Sequence, residues 1–223
     1  MTITYHVVNF TFKRIVRLLC RVDDSQWHKI PAEGPLIMAV NHINLMEISL
    51  MYTHLLPRPM TGFVKAESFE LPFVGWVFHL WDGIPLQRGE ADMTAVRAGL
   101  NALSEGKILV IAPEGTRTGD GRLQRGHPGI VTMALKANVP ILPVAYYGNE
   151  HFWPNFYRLR RTGFHVNVGS PFTLDSGEKR VTKEVRRQMV DEIMVQLARL
   201  LPPENRGYYV GLPAATPTHL RFT

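Results

Sequence analysis

The chain has 223 residues, of which 45% are hydrophobic and 20% charged, with a formal charge of +6 and a pI near 9.6. That length supports one α/β domain with a sizeable core and excludes two independent domains. A single cysteine, Cys20, excludes an internal disulfide and a cysteine-rich zinc site, and suits a reducing cytoplasm. The excess positive charge favours an acidic partner, whether an anionic lipid surface, an acidic carrier or cofactor, or nucleic acid.

Along residues 5–22, Val8, Phe12, Ile15, Leu19 and Val22 recur at helical spacing, with Lys13, Arg14, Arg17 and Arg21 opposite. This predicts an amphipathic N-terminal helix. Two readings of it stay open. It packs on the domain with a solvated basic face, or it lies in a membrane interface with arginines at lipid phosphates and Phe10 and Phe12 at the acyl boundary. The basic residues follow the first apolar ones, unlike a cleavable secretory leader. Leu71 to Trp81 and Ala137 to Tyr147 are apolar but too short to span a bilayer, which takes about 20 residues. Any membrane contact is therefore expected to be peripheral or monotopic, on the cytoplasmic face.

A Pro and Gly break at Pro31 to Pro35 separates this helix and its linker, residues 1–29, from a main domain at 30–203. Leu36 to Val40 reads as a buried strand and Leu45 to Leu55 as a helix. Further strands are predicted at Thr61 to Val64, Gly83 to Leu86, Lys107 to Ala112, Ile141 to Ala145 and His165 to Val168. Helical patterns occupy Ala91 to Ser104, Ile130 to Ala137 and Lys179 to Leu201. Such alternation predicts a mostly parallel central sheet flanked by helices, with sites beyond the carboxyl ends of its strands. Residues 204–223, rich in Pro, Gly and Tyr, read as an irregular tail.

Asn41 and His42 follow the first buried strand, and Glu47 lies five residues beyond the histidine. An imidazole held by a carboxylate suits proton removal from an alcohol, because the acid fixes the tautomer and stabilises the imidazolium. A continuous helix would turn the two residues about 140° apart, so His42 is expected to stay in the loop while Glu47 reaches back. Pro113-Glu114-Gly115-Thr116-Arg117 closes a second strand, where a guanidinium, a hydroxyl and a flexible backbone suit a phosphate. Arg88 and Lys65 end two more strands. Three strand-end cations beside one His/Glu pair point to an anion site. The nine histidines show no metal-ligand spacing, no Gly-x-Ser-x-Gly turn is present, and no nucleic-acid module is recognisable.

In this order, these segments resemble the glycerolipid acyltransferase family, whose best-known members make phosphatidate from 1-acylglycerol 3-phosphate. Asn41-His42 through Glu47 is similar to its first motif and Ile84 to Arg88 to its second. Glu114 to Arg117 matches the third and Val139 to Val144 the fourth. The chain departs in carrying Glu47 and Gln87 where the family usually has Asp. The resemblance implies transfer of a fatty acyl group from an acyl-CoA or acyl carrier protein thioester to a lysophospholipid hydroxyl. His42 would act as base and Glu47 as its partner, with no metal or further cofactor. Lys65, Arg88, Glu114, Gly115, Thr116 and Arg117 would form the phosphate site, and Phe73, Trp76, Phe78 and Trp81 an acyl pocket. An anionic membrane surface is the expected partner and nucleic acid is not. Another acceptor, such as glycerol 3-phosphate, and a catalytically weak lipid-binding homologue stay open as alternatives.

Overall fold

The computed structural model describes residues 3–87, 92–177, 181–211 and 217–222. The chain opens with helix α1 (Ile3–Leu19), strand β1 (Cys20–Asp23) and strand β2 (Leu36–Val40), followed by α2 (Met46–His54) and β3 (Met60–Lys65). Next come α3 (Pro72–Leu80), β4 (Ile84–Leu86), α4 (Met93–Ser104), β5 (Ile108–Ile111), α5 (Gly129–Ala137) and β6 (Ile141–Tyr147). The rest comprises α6 (Phe152–Tyr157), β7 (Thr162–Val168), β8 (Phe172–Leu174), α7 (Lys183–Arg199) and β9 (Leu220–Phe222).

The strands form one sheet in the order β1-β7-β6-β2-β5-β3-β4, with β8 beside β6 and β9 beside β8. The β2/β5, β2/β6, β3/β5, β3/β4 and β1/β7 pairs are parallel, while β7 and β8 run antiparallel to β6. Every residue of β2 is buried, as expected of a central strand covered on both faces. Two cores result. One face carries α4, α5 and α7 around Leu109, Ile130 and Ile193. The other carries α1, α2, α3 and Phe152 around Met38, Leu50 and Phe164.

Three expectations change. The N-terminal helix ends at Leu19 rather than at residue 22, because Cys20 to Asp23 pair with Thr162 to His165 as an edge strand. Residues 1–29 are thus not merely a helix and linker but contribute to the sheet. The described part of the C-terminal segment is not wholly irregular either: β9 pairs with β8, and Tyr209 buries its ring and bonds Asp191. Residues 152–157 form a short helix that the sequence pattern did not announce.

In α1 the buried side is narrow. Asn9 and Val16 are buried, and Phe12 meets Trp81 edge-on at 5.5 Å. Trp81 stacks on Tyr52 at 4.7 Å and donates from Nε1 to Asn9 Oδ1. Ile3, Val7, Phe10 and Leu18 form an outward apolar stripe, and Arg14 lies over the Phe10 ring. Among the described residues no helix is long and apolar enough to cross a membrane.

Candidate active site

The site begins where β2 stops. Asn41 ends the strand by using its side chain as one more rung: its amide donates to the Tyr146 carbonyl at 2.8 Å and its Oδ1 accepts the Tyr146 N–H at 2.7 Å. The backbone is thereby free to turn, and His42 sits in the loop before α2. Its Nδ1 lies 2.7 Å from Glu47 Oε1. That oxygen also accepts the N–H groups of Ile43 and Asn44, at 2.7 and 2.9 Å. An oxygen facing two backbone donors acts as an acceptor, so the proton shared with it rests on Nδ1, and in the neutral imidazole the lone pair is on Nε2. Glu47 is fully buried, and its second oxygen takes the Asn149 side-chain amide at 3.0 Å.

The loop after β5 locks onto the same segment. Glu114 Oε1 accepts the His42 N–H at 2.9 Å and Oε2 accepts the Gln124 N–H at 2.8 Å. Thr118 N–H donates to the His42 carbonyl and Gly119 N–H to that of Ile43. Burial pushes the Glu114 carboxyl up to about 7, against the two amide bonds that favour its charge. Glu114 was expected among the phosphate ligands and is corrected here. Its oxygens face backbone amides inside the protein, and a carboxylate would repel a phosphate in any case. It is a positioning residue for the His42 loop.

A cavity of about 490 Å³ opens in front of His42. Lys65, Gly115, Thr116 and Arg117 are among its lining residues, together with His127, which the sequence argument did not single out. Gly115 adopts φ +67°, a left-handed conformation that glycine takes freely, and this brings the loop against the His127 ring. Thr116 and Arg117 are exposed and make no hydrogen bond or ion pair among the described residues, while Lys65 pairs with Glu67 at 3.2 Å. Arg88 lies outside the described residues.

Most of the remaining lining is apolar and includes Leu71, Val74 and Phe78 from the α3 segment and Val96, Ile130 and Met133 from α4 and α5. Of the four aromatic residues expected to form an acyl pocket, only Phe78 lines it. Phe73 and Trp76 are 65% and 44% exposed, and Trp81 packs on α1 instead. Helical phase explains the correction: Val74 and Phe78 are four residues apart and share a face, which turns Phe73 and Trp76 outward. Gly75 permits this placement, since a Cβ there would lie 2.1 Å from the Phe69 carbonyl oxygen.

Cys20 is no rival nucleophile, as burial pushes its thiol up to about 11. Among the described residues no cluster of His, Cys, Asp and Glu is placed to hold a metal ion.

The sequence profile of the acyltransferase family matches residues 21–147, more than half of the chain, and this span contains His42, Glu47 and the 114–117 loop. The chain belongs to the acyltransferase family. It is 27% identical over 151 residues to a chloroplastic 1-acyl-sn-glycerol-3-phosphate acyltransferase of Arabidopsis thaliana, covering 63% of this chain and 42% of that protein. A 1-acyl-sn-glycerol-3-phosphate acyltransferase of Pseudomonas aeruginosa is 24% identical over 153 residues, 67% of this chain and 59% of its own length. The chain thus spans about half the length of these relatives. A lyso-ornithine lipid O-acyltransferase of Pseudomonas aeruginosa is 31% identical over half of this chain and 42% of its own. The fold is that of the 1-acyl-sn-glycerophosphate acyltransferase PlsC of Thermotoga maritima, with a TM-score of 0.61 and 23% identity over 85% of this chain and 76% of that one.

Proposed function

We propose that this acyltransferase moves a fatty acyl group from a thioester to the free hydroxyl of a lysoglycerophospholipid, with 1-acylglycerol 3-phosphate as the favoured acceptor. The observation that carries this is the His42–Glu47 pair at one cavity whose lining combines the cations Lys65 and Arg117 with many apolar side chains. His42 Nε2 takes the acceptor's proton, and the oxygen attacks the thioester carbonyl. The C–S bond breaks, and the imidazolium returns the proton to the departing thiolate. Glu47 steadies the imidazolium. Arg117, with Thr116 and Lys65, holds the acceptor phosphate, and the apolar walls take acyl chain. No acyl-enzyme is required.

The carrier of the thioester is either coenzyme A or acyl carrier protein. The cytoplasmic face of an anionic membrane is the proposed location, with the outward stripe of α1 in the interface. Glu47 gives no ground for the weak lipid-binding alternative, since its carboxylate reaches the imidazole at hydrogen-bond distance.

The test is a panel of lysolipid acceptors and glycerol 3-phosphate against acyl-CoA and acyl carrier protein thioesters. His42→Ala is expected to lower kcat by roughly 10²–10⁴ with an unchanged melt. Turnover near wild type would remove His42 from the mechanism. Arg117→Ala should raise the acceptor KM and leave the donor KM in place. The reverse pattern would overturn the phosphate assignment.

A further inference from the structure

Helix α6 presents aromatic side chains that the core does not use. Phe152 is buried, but Trp153, Phe156 and Tyr157 are 56%, 42% and 77% exposed, and their rings pack against one another and against that of Phe152. Leu159 follows at 97% exposure, in a left-handed backbone conformation (φ +53°) that L side chains seldom adopt. Arg158, Arg160 and Arg161 are interleaved with these residues and are exposed.

This segment is fixed to the end of α1. Arg161 Nη2 donates to the carbonyls of Arg17 and Cys20 at 2.6 and 2.7 Å, satisfying the last turn of that helix. Beside this junction an open cavity of about 460 Å³ is lined by Arg17, Arg21, Arg161 and His165, with Asp23 as its one acidic member. The register places the patch relative to the site. β6 runs parallel to β2, so the loop after Tyr147 emerges at the sheet end that carries His42. Phe152 packs in the same core as α1, α2 and α3, so the patch and the outward stripe of α1 belong to one side of the sheet.

We propose that residues 153–161 form a second contact with an anionic phospholipid surface, separate from the stripe on α1. Trp153, Phe156, Tyr157 and Leu159 sit at the headgroup level, and Arg158 and Arg160, together with the arginines at the α1 junction, take lipid phosphates. Indole and phenol rings suit that boundary because each has an apolar body and a polar tip. Charge favours a lipid surface over a second copy of the chain, which would set this arginine cluster against a net charge of +6. A single helix on a surface is free to roll about its axis. A second contact removes that freedom and fixes how the cavity in front of His42 faces the bilayer.

This inference rests on the membrane-surface reading above but on different residues, so the two can fail separately. The experiment is flotation of the full chain with vesicles of phosphatidylcholine, alone or mixed with phosphatidylglycerol. Wild type is compared with Trp153→Ser/Tyr157→Ser/Leu159→Ser and with Phe10→Ser/Leu18→Ser. Both alter exposed positions, so the melts should match; Arg158→Glu/Arg160→Glu keeps every aromatic ring should the triple variant misfold. The triple variant is expected to bind mixed vesicles about tenfold more weakly or worse. Its turnover of a short-chain, monomeric acceptor should not change. The charge-reversed variant should lose the preference for phosphatidylglycerol. Wild-type flotation of both 153–161 variants, with release of the α1 variant, would overturn the second contact and leave the membrane reading standing. Wild-type flotation of all three would overturn both. Unchanged flotation of the triple variant together with loss of a dimer in sedimentation would reassign the patch to self-contact.

Discussion

At the scale of single residues, Glu47 is held by more than its histidine: two backbone N–H groups and the Asn149 amide converge on the same carboxylate. Glu47→Asp withdraws that group by about one C–C bond, roughly 1.5 Å, and loosens every one of these bonds at once. The expected result is a fall in kcat of about tenfold to a hundredfold with little change in acceptor KM, measured in steady-state assays. A rise in kcat would mean that the longer side chain is tolerated rather than required. Glu114 carries a pH prediction. Its folded carboxyl titrates near 7 rather than at 4.5, so the folded state keeps a proton that the unfolded chain has released. The stability this group contributes is complete below about pH 4.5 and is lost as pH rises through about 7. Glu114→Gln should melt lower at mildly acidic pH, since its NH₂ must face a backbone N–H, yet lose less stability than wild type on moving from about pH 5 to about pH 7.5. Parallel melts across that range check it. The His42–Glu47 pairing and the place of Arg117 at the same cavity were legible because their segments follow strand ends at a recognisable spacing. Asn149 was not, being 102 positions from the carboxylate it holds and without a local pattern. Phe73 and Trp76 were placed on the wrong side because aromatic content was read without helical phase.

At the scale of elements, α1 and β1 do two things that composition alone could not separate. One side of α1 supports the core through Val16, Phe12 and the Trp81–Tyr52 stack, while the other is an apolar stripe in the open. The packed reading of the helix therefore describes one side of it, and the membrane-interface reading is the proposal made for the other. Deletion of residues 1–22 removes most of an edge strand and the buried Val16 and Cys20, so it is expected to lower the melting temperature sharply. Loss of flotation in that truncation would report unfolding, whereas substitutions confined to the stripe report the surface contact. Trp81→Ala should cost about 3–5 kcal/mol in denaturant unfolding, the range for deleting a large buried aromatic. A cost near zero would show that α1 is not docked there. The long periodic helices and the apolar central strands were readable to within a few residues. β1, β8 and β9 are only three or four residues long, and such short edge pieces take their structure from partners distant in sequence.

On the scale of the whole molecule, the net positive charge acts over distances set by salt. Raising ionic strength from about 0.1 M to about 1 M shortens the Debye length from about 10 Å to about 3 Å, so binding to anionic vesicles should weaken while turnover of a soluble acceptor persists. Flotation and activity measured side by side test this. The parallel sheet and its two covering layers followed from the alternation of elements, but the cavity did not, because its walls come from both faces of the sheet. The hydrogen bonds from Thr118 and Gly119 to the His42 segment, with Glu114 closing the other side, give that cavity a mechanical property. These bonds tie the loop bearing Arg117 to the loop bearing His42 like the two jaws of a caliper set to one gauge. With the acceptor phosphate held by Arg117 as proposed, only a hydroxyl at a set number of bonds from it would meet Nε2. Positional isomers of one lysolipid should then bind with similar affinity and differ in kcat, so the enzyme would select its acceptor by internal distance and not by strength of attachment.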